Sequence, residues 1–307
     1  MNSIILFPLL NTPRPLGRLK NPFVISATKC FSFFFLNLLL FSWSIWAEQR
    51  PLKTKDPRIL EPGLASLEFG FDFLQNAKFP VSGLTGDQTS VGVMGLNFSL
   101  GKMAEAQIQW TAHNFLSVNK ISPAPVIPKL SSNGTATSDF GDLNLSTKIR
   151  VVPETDQTPS FGFFTSIQLP NASTDKGLGL NNTQYRGGIL LGKQFGKFYA
   201  FGNLGLGILS NPILAGVQND VAVYGLAGIY PLNERISVAG EVFGHLNTRG
   251  TAPLGTESRS QFRFGLQLSA VGLQWDIASI TGLNYHAPQF GIVFGFTKQF
   301  KSFFHRK

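Results

Sequence analysis

The sequence predicts an all-β fold: an antiparallel up-and-down transmembrane β-barrel of twelve strands. Three observations predict it. Apolar and polar residues alternate with a period of two, and they do so in segment after segment between residues 64 and 300. The connections between those segments are short and long in turn. The chain also combines 32 Gly and 29 Phe with only 14% charged residues, against a usual value of about 25%. Successive side chains of a strand point to opposite faces, so each segment has one bulky apolar face and one small or polar face. In an outer-membrane barrel the apolar face meets lipid and the polar face lines the lumen.

Residues 1–47 stand apart. Arg14, Arg18, Lys20 and Lys29 occur there without an acid, and the apolar run Cys30 to Ala47 follows. This order predicts a secretory signal peptide cleaved after Ala47. The competing reading is a membrane anchor, since about 18 apolar residues just span a bilayer. The basic region is long for a signal, which leaves a later translation start open. Cys30 is the single cysteine, so the expected mature chain carries neither disulfide nor thiolate chemistry. Residues 48–63, polar and proline-containing, are expected as a periplasmic lead-in to a barrel spanning 64–300.

The first strand is read at Leu64–Leu74, with Leu67, Phe69, Phe71 and Phe73 on one face and Ser66, Glu68, Gly70 and Asp72 on the other. Next come Val91–Leu100, Met103–Ala112, Phe140–Val151, Phe161–Leu169, Asn182–Gln194, Lys197–Ile208, Gln218–Tyr230 and Glu234–Gly244. The clearest is Arg259–Ala270, where Phe262, Phe264, Leu266 and Leu268 oppose Gln261, Arg263, Gly265 and Gln267. Gly272–Ile280 and Gln289–Phe300 complete the set, ahead of a basic tail at 301–307. Tight connections such as Gly101–Lys102 and Phe195–Gly196 fall on one rim. Long ones, Gln75–Ser90 and His113–Asp139 among them, fall on the other. Short turns on the periplasmic side and long loops outside are the barrel arrangement. A soluble β-sandwich would need neither that alternation nor exposed apolar faces.

Within the last strand, Gln289–Phe290–Gly291–Ile292–Val293–Phe294–Gly295–Phe296 resembles the C-terminal insertion signal of bacterial outer-membrane barrels. That resemblance implies two partners, the barrel assembly machinery acting on this strand and outer-membrane lipid. Further in, SDFGDLNLSTKIRV from Ser138 carries Asp139, Gly141, Asp142 and Leu143. It is followed by Leu169–Pro170, Asp175–Lys176–Gly177–Leu178–Gly179 and Phe195–Gly196. This central third resembles the outer-membrane family named for the MetA pathway of phenol degradation. The residues Asn171–Ala172–Ser173 depart from the Thr-Gly that follows Leu-Pro there. The resemblance implies a transporter-like barrel associated with small or aromatic compounds.

Motifs of other chemistries are weak. Asp139–Phe140–Gly141 copies a kinase metal-binding tripeptide without the catalytic-loop or nucleotide-loop motifs that accompany it. Gly177-Leu-Gly179 lacks the third glycine of a dinucleotide fingerprint and leads into a strand. His113, His245 and His286 are expected at the long-loop rim, without the paired spacing of a metal site. No catalytic residue, metal or cofactor is therefore expected, and no basic-aromatic run suggests nucleic acid. The inward parity carries the candidate lumen-lining residues Glu68, Asp72, Glu105, Asp142, Lys148, Arg150, Arg186, Glu241, Arg263 and Asp276. Both signs occur together, so structural pairing and control of permeation are both open. Glu105 and Lys148 are expected to meet across neighbouring strands. The proline-stiffened apolar segment Ile121–Lys129 reads as a cap or entry patch, or else as a mobile surface loop. The functional expectation is passive passage of small solutes, hydrophobic or aromatic ones included, through an outer-membrane channel. The alternatives are a closed structural or adhesion barrel and a barrel-embedded lipid hydrolase.

Overall fold

A computed structural model describes residues 50–214 and 216–302. The predicted signal peptide, with Cys30, and residues 303–307 of the tail lie outside the described residues. Twelve strands close a single antiparallel ring: β1 (Leu64–Phe79), β2 (Leu84–Ser99), β3 (Ala104–Ile121), β5 (Leu143–Val152), β6 (Ser160–Leu169), β7 (Gln184–Phe195), β8 (Phe198–Ser210), β9 (Gln218–Pro231), β10 (Ile236–Leu246), β11 (Arg259–Ala270), β12 (Leu273–Gly282) and β13 (Phe290–Lys301). A short extra strand, β4 (Ala136–Asp139), pairs with the far end of β3. Each strand of the ring pairs with its chain neighbours, and β1 pairs with both β2 and β13, which leaves no open edge. Closure is what lets strands cross hydrocarbon, because every backbone donor and acceptor then finds a partner within the ring.

The faces are assigned by burial. On β11, Phe262, Phe264, Leu266 and Leu268 are 40–51% exposed, whereas Arg263 and Gln267 are 6% and 7% exposed. The same inversion holds on β13, where Phe290, Ile292 and Phe294 are exposed and Val293 and Thr297 are buried. A soluble sandwich buries its apolar face. Here the polar face is inside and an apolar band faces out around the ring, far more than a soluble monomer leaves uncovered. Only lipid satisfies such a surface, which rules out the sandwich.

The long-loop rim differs from the sequence reading. The expected loop Gln75–Ser90 is mostly ladder, with β1 and β2 running on to a four-residue turn at 80–83. Likewise β3 continues to Ile121, so His113 sits within a strand, and His245 lies in β10. The cause is that pairing is set by partners rather than by apolar alternation. Polar strand ends that stand clear of the bilayer keep their ladder without an apolar face. Two irregularities re-aim this region. Gly92 (φ 65) and Asn76 (φ 51) mark shifts in the β1–β2 register, each an extra residue that bends the ribbon. The bend carries the hairpin tip over the barrel mouth.

Candidate functional site

The interior of the barrel is the candidate site, and the residues before β1 fill much of it. The stretch expected as a periplasmic lead-in is instead observed inside the ring from Arg50 to Leu60. Its partners come from β1, β3, β5, β8, β10, β11 and β12, and only the lumen borders all of these. The physical reason is mutual satisfaction. Inward charges need partners once removed from water, and an extended, proline-containing segment brings unpaired backbone N–H and C=O groups.

The Glu241 carboxylate accepts the backbone N–H groups of Lys53, at 2.8 and 2.9 Å, and Thr54, at 2.7 Å. Beside it, Arg263 Nη1 donates to the Pro51 carbonyl at 3.0 Å, and Gln267 Nε2 donates to the Arg50 carbonyl at 2.7 Å. Arg50 itself pairs with Asp276 at 3.2 Å. Further along, the Lys55 N–H donates to Asn203 Oδ1 at 2.9 Å, and its Nζ reaches Gln107 Oε1 at 2.8 Å. Asp56 accepts from the Tyr199 hydroxyl at 2.8 Å, and the Arg58 guanidinium lies 3.7 Å from the centre of that ring. The segment ends on Leu60, whose N–H donates to Glu105 Oε2 at 2.8 Å.

Glycines on the wall make room for this strap. A Cβ on Gly70 or Gly295, which face each other across β1 and β13, would lie 2.3 or 2.5 Å from Arg50 Nη2. One on Gly225 would lie 2.6 Å from Thr54 Oγ1, and one on Gly192 would lie 2.7 Å from Pro57 Cγ. Part of the glycine in these strands is thus explained by what they enclose.

The ten candidate residues do not form one cluster. Glu105 and Lys148 meet as expected, at 3.2 Å in direct register, and Lys148 Nζ also donates to the Arg58 carbonyl. Glu241, Arg263 and Asp276 hold the strap. Glu68 accepts from Asn97 Nδ2 at 2.9 Å. Glu68, Asp142 and Arg263 border a residual cavity of about 90 Å³ beside Arg50 and Trp110, and Asp72 is partly buried on the same strand as Glu68. Asp142 is turned to the long-loop rim, where it accepts the N–H groups of Asn171 and Ala172. Arg186 donates to Gln184 on its own strand. Arg150 stands at the short-turn rim with its guanidinium on the Lys102 carbonyl. Sequence reasoning missed Arg50, Lys53, Lys55, Asp56 and Arg58. The signal was present: a charged segment directly before a barrel whose inward faces carry unmatched carboxylates.

The mouth is covered as well. Val81, at the tip of the β1–β2 hairpin, is buried, and a Cβ on Gly255 would lie 3.0 Å from both Val81 Cγ2 and Pro212 Cγ and 3.3 Å from Leu180 Cδ2. Loops that follow β6, β8 and β10 therefore meet a hairpin from the other side of the ring. The segment Ile121–Lys129 lies along that hairpin, since Ser122 and Val126 donate their N–H groups to the Gly83 and Val81 carbonyls. It is tied down further by Lys129, whose Nζ lies 2.7 Å from Asp175 Oδ2. The histidines take separate roles: His113 packs on Phe115 and Phe140, and His245 Nε2 contacts the Glu257 carbonyl. Among the described residues, no three His, Cys, Asp or Glu gather as a metal would require.

No protein-family model matches the chain. No curated protein matches it either. Solved structures do. An outer-membrane channel from Pseudomonas putida F1 aligns over 81% of this chain and 100% of its own, with a TM-score of 0.57 and 14% identity. The NanC porin aligns over 78% of this chain and 99% of its own at a TM-score of 0.45 and 8% identity, and the monoaromatic hydrocarbon channel CymD over 81% and 90% at 0.41 and 10%. At such identities the first likeness shows the fold, and the other two superpose more loosely. Together with the inverted burial of its strands, this makes the chain a twelve-stranded β-barrel of the outer membrane.

Proposed function

We propose that the protein is a passive channel for small solutes, hydrophobic and aromatic ones included. The carrying observation is the contrast between mouth and lumen. Apolar side chains stand open at the rim of the mouth: Ile121, Ile127 and Leu214 are 56%, 90% and 59% exposed there. Below it, the lumen is crossed by a strap held through hydrogen bonds and ion pairs, with Leu52 packed in a small apolar cluster of Tyr199, Phe201, Ala227 and Ala239. An apolar mouth favours capture of an apolar solute from a dilute phase. Polar contacts, which water can replace, make up most of the strap's anchors and leave it displaceable. The similar structure from Pseudomonas putida F1, an outer-membrane channel, points the same way. The resemblance around Asp139–Gly196 to the phenol-degradation family supports the aromatic class.

The filled lumen also favours a second reading, a closed barrel with a structural role. Purified protein in liposomes separates the two. Entry of toluene and of a small sugar is compared for the intact chain and for chains lacking 50–60 or 121–129. Faster toluene entry than in empty liposomes supports the channel. Entry of both solutes no faster than in empty liposomes, for all three chains, supports the closed barrel.

A further inference from the structure

A second cavity, of about 460 Å³, lies at the long-loop rim, apart from the lumen cavity. One wall is the β3–β4 ribbon, where Leu116 pairs with Thr137 and Phe115 with Ser138. Another is the chain at Lys129 and Leu130, and the 3-10 turn Thr174–Lys176 borders it at Lys176. Its size falls within the roughly 300–1,000 Å³ range of small-molecule sites. Phe115, Leu130 and Ala136 give it an apolar floor, and two ammonium groups stand at its edge.

The charges there do not balance. Lys129 is matched by Asp175. Lys176 makes no ion pair among the described residues, and its position is fixed because its carbonyl accepts the Thr137 hydroxyl at 2.9 Å. One cation at the rim of an apolar cavity is thus left over, next to hydroxyls of the β4 strand. We infer that this cavity binds the carboxylate of a small hydrophobic acid, with the apolar body on Phe115, Leu130 and Ala136 and the carboxylate on Lys176. Such a ligand supplies the one negative charge the site lacks and covers the apolar surface the loops leave open. The inference extends the proposed channel by naming an anionic class of solute and its first resting place. Binding itself requires no passage.

The test uses the full-length mature barrel in lipid nanodiscs, with 4-phenylbutanoate and 4-phenylbutan-1-ol as probes and empty nanodiscs as the blank. Binding of the acid about tenfold tighter than the alcohol is expected, the effect of one charge-assisted contact. Lys176→Gln, an exposed position, should bring the two probes level, and Leu130→Ser should weaken both. Equal binding of acid and alcohol to the unaltered protein overturns the inference. So does an acid preference that survives Lys176→Gln, or binding no greater than that of empty nanodiscs. A barrel that passes toluene without preferring the acid keeps the channel and loses this site. A barrel that prefers the acid and passes nothing keeps the site and loses the channel.

Discussion

Arg50 donates two hydrogen bonds to Asp276, from Nε at 3.2 Å and from Nη2 at 3.3 Å, and so joins the residues before the first strand to β12, the last strand but one of the barrel. Both groups are buried, and the guanidinium rests between Gly70 and Gly295. Removing one partner of a buried pair leaves an uncompensated charge, at a cost of about 3–5 kcal/mol when the whole fold depends on it. Here the strap has another course, which is to leave the lumen. Asp276→Asn is therefore expected to raise single-channel conductance while the heat-modifiable mobility of the folded barrel is kept. Gly295→Val should act in the same direction by occupying the space of the guanidinium. Unchanged conductance in both variants would mean that the strap does not limit permeation.

A crosslink gives the opposite result. The Gly225 Cβ position lies 2.6 Å from Thr54 Oγ1 and 2.8 Å from Thr54 Cγ2, within reach of a disulfide. No cysteine occurs between residues 48 and 307, so Thr54→Cys with Gly225→Cys forms its bridge without competition. Conductance should fall on oxidation and recover with a reductant. Recordings that do not change with redox state, despite a bridge verified by mass, would place the permeation path elsewhere.

The lipid face is tested by arginine substitution. Phe264 is 51% exposed on the outer face, and Phe264→Arg should cost about 2–4 kcal/mol in refolding if it sits near the bilayer midplane. Asn144 borders the residual cavity, and Asn144→Arg should cost clearly less. Gln267 is a poor control, because its amide holds the Arg50 carbonyl. Equal losses in the two variants would undo the assignment of faces.

Closure of the mouth depends on Gly255. Its φ of 86° disfavours any side chain, and a Cβ would press on Val81 and Pro212. Backbone held there by a non-glycine residue is strained by about 1–3 kcal/mol. Gly255→Val is expected to loosen the loops and speed proteolytic cleavage at the 80–83 turn several-fold, with the strands still protected. Cleavage no faster than in the parent chain would show that the hairpin tip is held by other contacts.

The tie between Lys129 and Asp175 has a defined pH window. Hydrogen bonding to Lys129 holds the Asp175 carboxyl below its ordinary 3.8, and the same bond raises Lys129 above 10.5. A depressed carboxylate contributes in full above its unfolded value and loses that contribution as pH falls through the lower folded one. A raised amine contributes in full below its unfolded value and loses it as pH rises through the higher one. Protection of the Lys129 amide, which donates to the Asp175 carbonyl at 2.7 Å, should therefore stay level between about pH 5 and about pH 8. It should weaken only in strong acid or strong base, and Asp175→Asn should lower it throughout. A transition near neutrality would assign the tie to other groups.

The strand alternation was readable because the bilayer imposes it. Phe262, Phe264, Leu266 and Leu268 face out for a reason that involves no other part of the chain. The closed ring follows from the same repeat, and the Glu105–Lys148 pair from the adjacency of two strands that follow each other around the ring. The reach of β1 and β2 to Phe79 and Leu84 was not readable. Above the membrane a strand is held by its partner, and Asn76 and Asp87 leave no apolar trace of it. The place of Arg50 to Leu60 was decided only in three dimensions, because carboxylates at Glu105, Glu241 and Asp276 come from strands far apart in sequence. They surround one volume only after the ring has closed. What the sequence alone determined is therefore the wall of this protein, which each strand specifies locally against lipid. What fills and covers the wall depends on which charges and backbone groups closure brings face to face away from water.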